Sequence, residues 1–300
     1  MTPSTVDALV GVGLDPEAVG RIVRGALEED LGPRRLDVTS IATIPAGQTD
    51  TADVVARADG VVAGLAVAAA VFDEASEGTV EIRITARDGD RVARGDVLAT
   101  VSGPTRALLT AERSALNLLC RISGIATATR AWADALAAGG RALVLDTRKT
   151  TPGLRVLEKY AVRARGGANK RMGLYDVAMV KDNHKLAAGG VAAAYRRVRE
   201  AFPDVGVQVE VTTVEEAVEA VAAGADFLLC DNMTPALLRR VVAAVAGRAE
   251  LEATGGLTLE RAAEYAATGV DYLSVGALTH SSPILDIALD LRPRVTATGS

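Results

Sequence analysis

From residue 140 onward, short apolar runs that end in polar residues repeat along the chain. These runs are LVLDTRK (143–149), AMVKDNH (178–184), VQVEVTT (207–213), FLLCDNM (227–233), LEATGG (251–256) and YLSVGAL (272–278). Amphipathic stretches lie between the later runs: VEEAVEAVAAGA (214–225), PALLRRVVAAVAG (235–247) and TLERAAEYAATGV (258–270). Strands that alternate with helices of this length predict βαβ units and a parallel sheet. Because almost every strand ends in charged residues or glycine, we favour an α/β barrel over a doubly wound sheet, which gathers its site at one switch point.

The first part of the chain has a different pattern. Between residues 51 and 101, short β-like runs alternate with turn signals, and residues 66–75 are predicted to form a helix. Apolar and polar residues alternate over 81–86, which predicts a half-buried strand. Residues 104–137 are helical in pattern and apolar on most faces, which is typical of a helix buried between domains or subunits. Arg113 interrupts that apolar surface.

Composition narrows the class of protein. Apolar residues make up 49% of the chain, charged residues 24%, and the formal net charge is −5. These values are ordinary for a soluble globular protein and do not indicate binding to nucleic acid or a membrane. We find no signal peptide and no apolar stretch of about 18 residues that could span a bilayer. Cys120 and Cys230 are far apart and are predicted to be buried thiols in a reducing compartment, so we expect a cytoplasmic protein.

The predicted strand ends carry three groups of chemically useful residues, because carboxyl ends of barrel strands meet at one mouth. The groups are the cations Arg148, Lys149 and Lys181, joined by Lys170 and Arg171 from a connecting segment; the carboxylates Glu210 and Asp231; and the Gly255-Gly256 and Ser274-x-Gly276 segments. A glycine turn before a helix is suited to phosphate, and two carboxylates beside phosphate oxygens are suited to Mg²⁺. The cations are suited to a second anion. These groups predict an enzyme for an anionic, phosphate-bearing substrate.

Simpler interpretations stay open for single residues. A charged residue at a strand end is often only solvated or salt-bridged, and Gly255-Gly256 is also compatible with a tight turn. Arg155 and Lys159 are predicted to be surface charges of a helix, although a site role for Arg155, which closely follows Pro152-Gly153, stays open. His184 and His280 are predicted to form structural hydrogen bonds. The chain contains no P-loop, no dinucleotide-binding glycine pattern and no Gly-x-Ser-x-Gly elbow.

Several segments resemble one enzyme family, quinolinate phosphoribosyltransferase. The most specific is TRKTTPGLR (147–155). The others are AERSALNLLCRISGIAT (111–127), NKRMGLYDVAMVKDNH (169–184), VEVTT (209–213), LLCDNM (228–233), EATGG (252–256) and DYLSVGALTHS (271–281). The resemblance runs in consistent order from about residue 28 to residue 290.

The resemblance implies an α/β protein with an N-terminal α+β sandwich domain followed by an open α/β barrel with a parallel sheet. It implies domains at residues 1–115 and 116–285, with a C-terminal tail, 286–300, that packs on the N-terminal domain. The implied reaction is a glycosyltransferase step of NAD biosynthesis: quinolinate and phosphoribosyl pyrophosphate give nicotinate mononucleotide, pyrophosphate and CO₂, with Mg²⁺. A homodimer with shared active sites, or a higher oligomer, is also implied.

The resemblance assigns roles to residues of this chain. Lys149, Glu210 and Asp231 are implied to be catalytic, and the last two are implied to act near the ribose and the metal. The implied substrate-binding residues are Arg113 from the partner subunit, Arg148, Lys149, Lys170, Arg171, Lys181, Glu210 and Asp231. The implied binding site for the 5′-phosphate consists of Thr254, Gly255, Gly256, Ser274 and Gly276. This sequence departs from the family in three places: Lys170 replaces a usual His, Thr254 replaces a usual Ser, and residues 32–37 are longer and more basic than the family's form.

Three rival interpretations differ in function. A related pyrophosphorylase of the same fold would act on another base, which the cations suited to two carboxylates disfavour. A Schiff-base lyase would use Lys181 as its nucleophile. A non-catalytic binding protein is disfavoured because so many chemical groups are predicted to converge.

Overall fold

The computed structural model describes residues 1–293 and divides the chain into two compact units. Unit 1 contains residues 1–128 and 151–165 and the chain from residue 282 on, as far as it is described. Unit 2 contains residues 129–150 and 166–281. Over the described residues, no helix is both long enough and apolar enough to cross a membrane.

Unit 1 is built on antiparallel strands. Its elements are α1 (Pro3–Gly11), α2 (Pro16–Leu31), α3 (Val38–Thr43), β1 (Thr49–Ala56), β2 (Gly60–Val61), α4 (Leu65–Ala75), β3 (Glu81–Ile84), β4 (Arg91–Val92), β5 (Val97–Pro104), the first part of α5 (Thr105–Ala137), α6 (Arg155–Ala164) and β13 (Ile287–Leu291). The four-stranded sheet has the order β13-β1-β5-β3, and β2 pairs separately with β4. The predicted helix at 66–75 is confirmed as α4, whose first nine residues are all buried.

Two expectations for unit 1 are wrong. Strand β3 is not half-buried, since Ile84 is 40% exposed; among residues 1–293, β3 lies at the edge of its sheet and pairs only with β5. Lys159 is not a surface charge, since it is 1% exposed, next to the fully buried Glu158. The amphipathic pattern did not identify this burial because a charged residue in a helix is normally solvated.

Unit 2 contains a parallel sheet of seven strands in the order β7-β6-β12-β11-β10-β9-β8. Its elements are β6 (Leu143–Leu145), β7 (Gly167–Ala168), β8 (Val177–Val180), α7 (Asp182–Ala188), α8 (Val191–Ala201), β9 (Gly206–Val211), α9 (Val214–Ala222), β10 (Phe227–Asp231), α10 (Pro235–Val245), β11 (Glu250–Thr254), a 3₁₀ turn (Leu259–Arg261), α11 (Ala262–Ala266), β12 (Tyr272–Ser274) and α12 (Ala277–His280). Strands β7 and β8 are the two edges, so the sheet is open. The expected fold class, an open parallel α/β barrel with a separate α+β part, is confirmed.

Local sequence explains why the helices of unit 2 begin where they do. Thr213 and Thr234 cap α9 and α10, and each side chain accepts a hydrogen bond from a backbone N–H of the first turn. Pro235 occupies the first position of α10, where a missing N–H has no effect. These caps place both helices directly after the strand ends that carry Glu210 and Asp231. The two-residue strand β7 was not predicted, because it is too short to give an apolar pattern.

The expected domain boundaries, after residues 115 and 285, stay a prediction, since the two units group the chain by internal contacts. Residues 151–165, expected within the barrel domain, belong to unit 1. In the expected tail, 286–300, strand β13 pairs antiparallel with β1. Residues 294–300 of that tail lie outside the described residues.

Candidate functional site

The carboxyl ends of the parallel strands surround a cavity of about 730 Å³ in unit 2. The cavity contains every predicted site residue except Arg113. Its lining residues are Thr147, Arg148, Lys149, Lys170, Arg171, Met179, Lys181, Glu210, Leu229, Asp231, Asn232, Thr254, Gly255, Gly256, Leu257, Ser274, Val275, Gly276, Ala277 and His280. Five of these residues are Lys or Arg and two are carboxylates, so the cavity is cationic although the chain carries a net charge of −5.

The segment after β6 holds Lys149 by its backbone. The backbone N–H of Lys149 donates to Thr147 Oγ1 at 3.0 Å, and its carbonyl accepts from the buried hydroxyl of Thr279 at 2.7 Å. A Cβ atom at Gly276 would lie 3.2 Å from Lys149 Cδ, so glycine leaves room for the lysine stem. Lys149 therefore has a fixed backbone and a side chain that reaches the cavity.

Asp146 orders the segment after β7. Asp146 is completely buried, and its two oxygens accept from Asn169 Nδ2 at 2.5 Å and from the backbone N–H of Lys170 at 2.9 Å. This pairing turns Lys170 and Arg171 into the cavity. Arg171 Nη1 donates to the carbonyl of Val177 at 3.0 Å, while burial and the nearby Arg148 lower the pKa of Arg171. The proximity of Arg148 to Arg171 concentrates positive charge at this wall of the cavity, which favours the binding of an anion.

The two cavity carboxylates have different partners. Glu210 Oε2 lies 3.4 Å from Lys181 Nζ. Asp231 Oδ2 accepts from the side-chain amide of Asn232 at 2.8 Å. Within the described residues, no group of three or more His, Cys, Asp or Glu could hold a metal ion. Two carboxylates nevertheless fit Mg²⁺ that is also bound by substrate phosphates, because Mg²⁺ in such sites takes one or two protein carboxylates.

The glycine turn after β11 is shaped by Asn232. Asn232 has a left-handed backbone, φ 54°, and its N–H donates to the carbonyl of Thr254 at 2.8 Å. A Cβ atom at Gly255 would overlap the Asn232 side chain, and Gly255 itself has φ 90°. The turn thus requires glycine at 255 for its own packing, which supports the tight-turn interpretation. The same turn lies at the cavity wall, so a tight turn and a phosphate-binding turn are compatible interpretations.

Ser274 adds a second feature to this side of the cavity. Its side chain is 5% exposed, and its hydroxyl has no hydrogen-bond partner within residues 1–293. A buried hydroxyl is normally satisfied. The Ser274 hydroxyl at the cavity wall is therefore suited to donate to a bound anion.

Three cavity or cavity-adjacent residues were not identified from the sequence. Asn232 was overlooked because an Asn after a strand resembles an ordinary turn residue, and Glu252 was recognised only as a strand end. His280 was interpreted as structural; its Nδ1 does lie 2.6 Å from Ser281 Oγ, but the residue also lines the cavity. The structural role expected of His184 is seen, since its Nδ1 accepts from the Lys181 N–H at 3.0 Å.

Arg113 belongs to unit 1. It is on α5 and is exposed, and it is not among the residues that line the cavity. The expected role of Arg113 at the active site of a partner subunit stays a prediction.

Comparisons with known proteins agree in both parts of the chain. Residues 37–123 match the family model for the quinolinate phosphoribosyl transferase N-terminal domain, and residues 125–290 match the model for the C-terminal domain. The chain is 49% identical over 282 residues to the nicotinate-nucleotide pyrophosphorylase [carboxylating] of Mycobacterium leprae, covering 92% of this chain and 98% of that protein. It is 44% identical to the probable enzyme of the same name from Bacillus subtilis, covering 88% and 90%. The crystal structure of NadC from Streptococcus pyogenes superposes with a TM-score of 0.88 at 37% identity, covering 93% of this chain and 99% of that chain.

Proposed function

The chain belongs to the quinolinate phosphoribosyl transferase family, and from this premise we propose that it converts quinolinate and phosphoribosyl pyrophosphate to nicotinate mononucleotide, pyrophosphate and CO₂. This reaction is the phosphoribosyl-transfer step of de novo NAD biosynthesis. The observation that carries the proposal is the cavity of unit 2, where five cations, two carboxylates and a glycine turn meet. A Schiff-base reaction at Lys181 has less support, because its ammonium lies 3.4 Å from Glu210 as an ion-pair partner.

The cations would bind the acidic groups of both substrates. Quinolinate carries two carboxylates, and phosphoribosyl pyrophosphate carries a phosphate and a pyrophosphate. Arg148 and Arg171 have planar guanidinium groups that match carboxylate geometry, while the lysines act as compact charges. A cavity with one cation would suffice for a monocarboxylate, so the excess charge favours a dicarboxylate.

The 5′-phosphate would lie against the glycine turn and Ser274. The left-handed conformations of Gly255 and Gly256 leave backbone N–H groups unshielded by side chains, and backbone N–H groups in such turns bind anions. The free hydroxyl of Ser274, within the part of the chain that is described, supports the same position. Thr254 and Gly276 complete this side of the cavity.

Ribosyl transfer needs charge stabilisation more than a nucleophilic side chain. The bond between the anomeric carbon and pyrophosphate breaks through an oxocarbenium-like state, and the pyridine nitrogen then attacks that carbon. Glu210 and Asp231 would stabilise the positive charge on the ribose, and Lys149 the negative charge on the departing pyrophosphate. All three side chains would be in place before the reaction, which is the condition for a large electrostatic effect.

Glu210 and Asp231 would also hold Mg²⁺ together with the pyrophosphate oxygens. Bound there, Mg²⁺ would neutralise charge on the leaving group. The two carboxylates suffice for this role because the substrate supplies the remaining ligands.

Decarboxylation follows from the product of the first step. Once the ring nitrogen carries the ribosyl group, its positive charge accepts the electron pair of the bond between C2 and its carboxylate. CO₂ leaves, and C2 takes up a proton. The protein has to keep the ring oriented and the 3-carboxylate bound, which the arginines of the cavity are suited to do.

The test is incubation of the protein with phosphoribosyl pyrophosphate, Mg²⁺ and either quinolinate or nicotinate. We expect release of CO₂ and formation of nicotinate mononucleotide from quinolinate only, and we expect turnover to stop when Mg²⁺ is chelated. Equal turnover of nicotinate would contradict the proposed substrate. Turnover of neither compound by a folded protein would contradict the proposed activity.

We also propose a homodimer in which Arg113 serves the active site of the partner subunit. Arg113 is exposed in unit 1 and absent from the cavity lining, which supports a role beyond its own subunit. Both Arg113→Ala and Lys149→Ala homodimers should be nearly inactive. Mixing and re-annealing them should restore activity, because a mixed dimer has one site with both residues intact. If subunit exchange is confirmed and no activity returns, Arg113 does not serve the partner's site.

We place the reaction in the cytoplasm. Cys120 and Cys230 are both free and buried, which supports a reducing compartment. Activity in the cytosolic fraction of cells that express the native chain, and not in the membrane fraction, would test this location.

A further inference from the structure

A buried ion pair lies at the wall of the cavity. Lys170 Nζ and Glu252 Oε1 are 2.6 Å apart, and the two side chains are 7% and 0% exposed. Lys170 lines the cavity, whereas Glu252 is behind it on β11. The cavity therefore has a cation whose counter-charge is hidden from any ligand.

Lys170 is held at its backbone as well as at its ammonium group. Its N–H donates to Asp146 Oδ1 at 2.9 Å, and Asp146 itself is completely buried. Asn169, the preceding residue, donates to the other oxygen of Asp146. With both of its ends fixed, the lysine stem has little freedom left, so its charge occupies a defined position.

The carboxylate of Glu252 acts mainly on Lys170. Its second oxygen, Oε2, has no hydrogen-bond partner within residues 1–293, so that oxygen's charge is not shared with another donor there. Burial, together with the charge of Glu252, raises the pKa of Cys230 to about 12. Cys230 is therefore a neutral neighbour and adds no negative charge to that of Glu252.

Other groups around Lys170 oppose its protonation. Burial lowers the pKa of Lys170, Glu252 opposes that shift, and the nearby Lys181 and Arg171 lower the pKa further. As a net result, the pKa of Lys170 lies below the ordinary value for a lysine. Removal of the Glu252 charge would leave the lowering effects unopposed, so the lysine would lose its proton at a lower pH.

We propose that Glu252 is a positioning residue that keeps the Lys170 ammonium charged and fixed at the cavity wall, where that ammonium receives one carboxylate of an aromatic dicarboxylate substrate. The inference rests on the proposed function, because it assigns Lys170 to quinolinate. It also explains how a lysine operates at this position: a buried ammonium that is paired with a buried carboxylate keeps its charge. Affinity for the dicarboxylate is then present below the pKa of Lys170 and is lost as the pH rises through it.

The test is the dissociation constant of quinolinate, measured by titration calorimetry from pH 6 to pH 10 without the second substrate. In Glu252→Gln, the alkaline loss of affinity should move to lower pH, with binding roughly tenfold weaker than wild type near pH 9 and much closer to wild type near pH 6. Lys170→Met should bind quinolinate weakly at all pH values and should discriminate less between quinolinate and pyridine-2-carboxylate. In Lys170→Met/Glu252→Gln, the second substitution should cause no further pH shift.

Lys170→Arg provides a test that does not depend on the folding of Glu252→Gln. Arginine keeps its charge throughout this range, so the alkaline loss that belongs to residue 170 should disappear. A purely structural Glu252 would change the melting temperature of Glu252→Gln without moving its pH midpoint, and that result would overturn the inference. A Lys170→Arg profile identical to wild type would overturn it too. If the wild-type protein binds no quinolinate, the proposed function itself fails. If it binds quinolinate and only the pH midpoint of Glu252→Gln stays unchanged, the role of Glu252 alone fails.

Discussion

Two buried glutamates, one in each unit, have similar burial but different surroundings. In unit 1, Glu158 Oε1 accepts from Arg121 Nε and Nη2 at 3.1 and 2.9 Å, and its Oε2 accepts from the Thr151 N–H at 3.0 Å. In unit 2, Glu252 has one oxygen on Lys170, and its other oxygen has no partner over the described part of the chain. Both side chains are at most 1% exposed. Full satisfaction characterises a carboxylate that holds the fold, whereas incomplete satisfaction beside a cavity characterises one that prepares a site.

The same contrast applies to the units as a whole. In unit 1, the Asp88 carboxylate accepts from the backbone N–H groups of Gly64 and Leu65 and from the Tyr160 hydroxyl, and thus fixes the start of α4. Burial and the Asp88 charge raise the pKa of Tyr160, so this hydroxyl stays a neutral donor. In unit 2, five cations face a cavity whose protein carboxylates number two. Polar groups that find all their partners within the chain stabilise it, and those that do not are available to ligands.

The largest expected effect is on stability, in unit 1. Glu158→Ala should lower the free energy of unfolding by about 3–5 kcal/mol, because it leaves Arg121 and the Thr151 N–H without their buried acceptor. Urea unfolding measures this change. The double variant Arg121→Met/Glu158→Leu, which removes both charges, should recover much of the loss. A Glu158→Ala protein within about 1 kcal/mol of wild type would break the contrast between the two glutamates.

A somewhat smaller free-energy effect is expected on catalysis, in unit 2. Asp231→Asn should lower kcat by about 100- to 1000-fold, because a charge that stabilises the transition state is lost. Its stability should stay within about 0.5 kcal/mol of wild type, as for a substitution outside the core, and quinolinate binding should be nearly unchanged. Steady-state kinetics together with urea unfolding provide the check. A kcat near the wild-type value would show that Asp231 is a structural carboxylate after all.

The smallest expected effect is at Asn232, whose side chain donates to Asp231. Asn232→Gly keeps the left-handed backbone at φ 54° and loses only the amide, so kcat should fall by roughly tenfold. Asn232→Ala is the matched control. It loses the same amide, and because alanine lacks the short polar side chain by which asparagine tolerates a left-handed backbone, its stability should be about 1–2 kcal/mol below that of Asn232→Gly. If Asn232→Gly has wild-type kinetics, the residue serves the turn and not the carboxylate.

Much of the fold follows from local pattern. The six apolar runs after residue 140 are all strands of the parallel sheet, and the three amphipathic stretches between the later runs are helical. The hydrophobic pattern did not predict elements that are too short to show a period, or charged residues that are buried. Strand β7 has two residues and no periodicity, and Lys159 is a charged helix residue that is buried. Strand β7 exists because it pairs with β6, more than 20 residues earlier in the chain.

The sequence predicted which residues line the cavity better than it predicted how those residues are arranged there. Twelve of the thirteen predicted substrate-binding residues line the cavity, since parallel strands necessarily bring their carboxyl ends to one edge. Asn232 and His280 were not included, because neither residue type after a strand is distinctive by itself. Their place at the cavity became apparent only when the neighbouring strand ends were known.

What the sequence by itself determined is the order of strands and helices, the residues at the strand ends, and the family to which the motifs belong. These are properties of short segments, and short segments carry period, charge and turn chemistry. What only the tertiary structure decided is which of those residues meet. Lys170 and Glu252 are 82 residues apart, and in the sheet two strands, β6 and β12, lie between β7, which precedes Lys170, and β11, which carries Glu252. A contact of this kind depends on the curvature of the whole sheet, because only a curved sheet brings side chains from non-adjacent strands together in its interior.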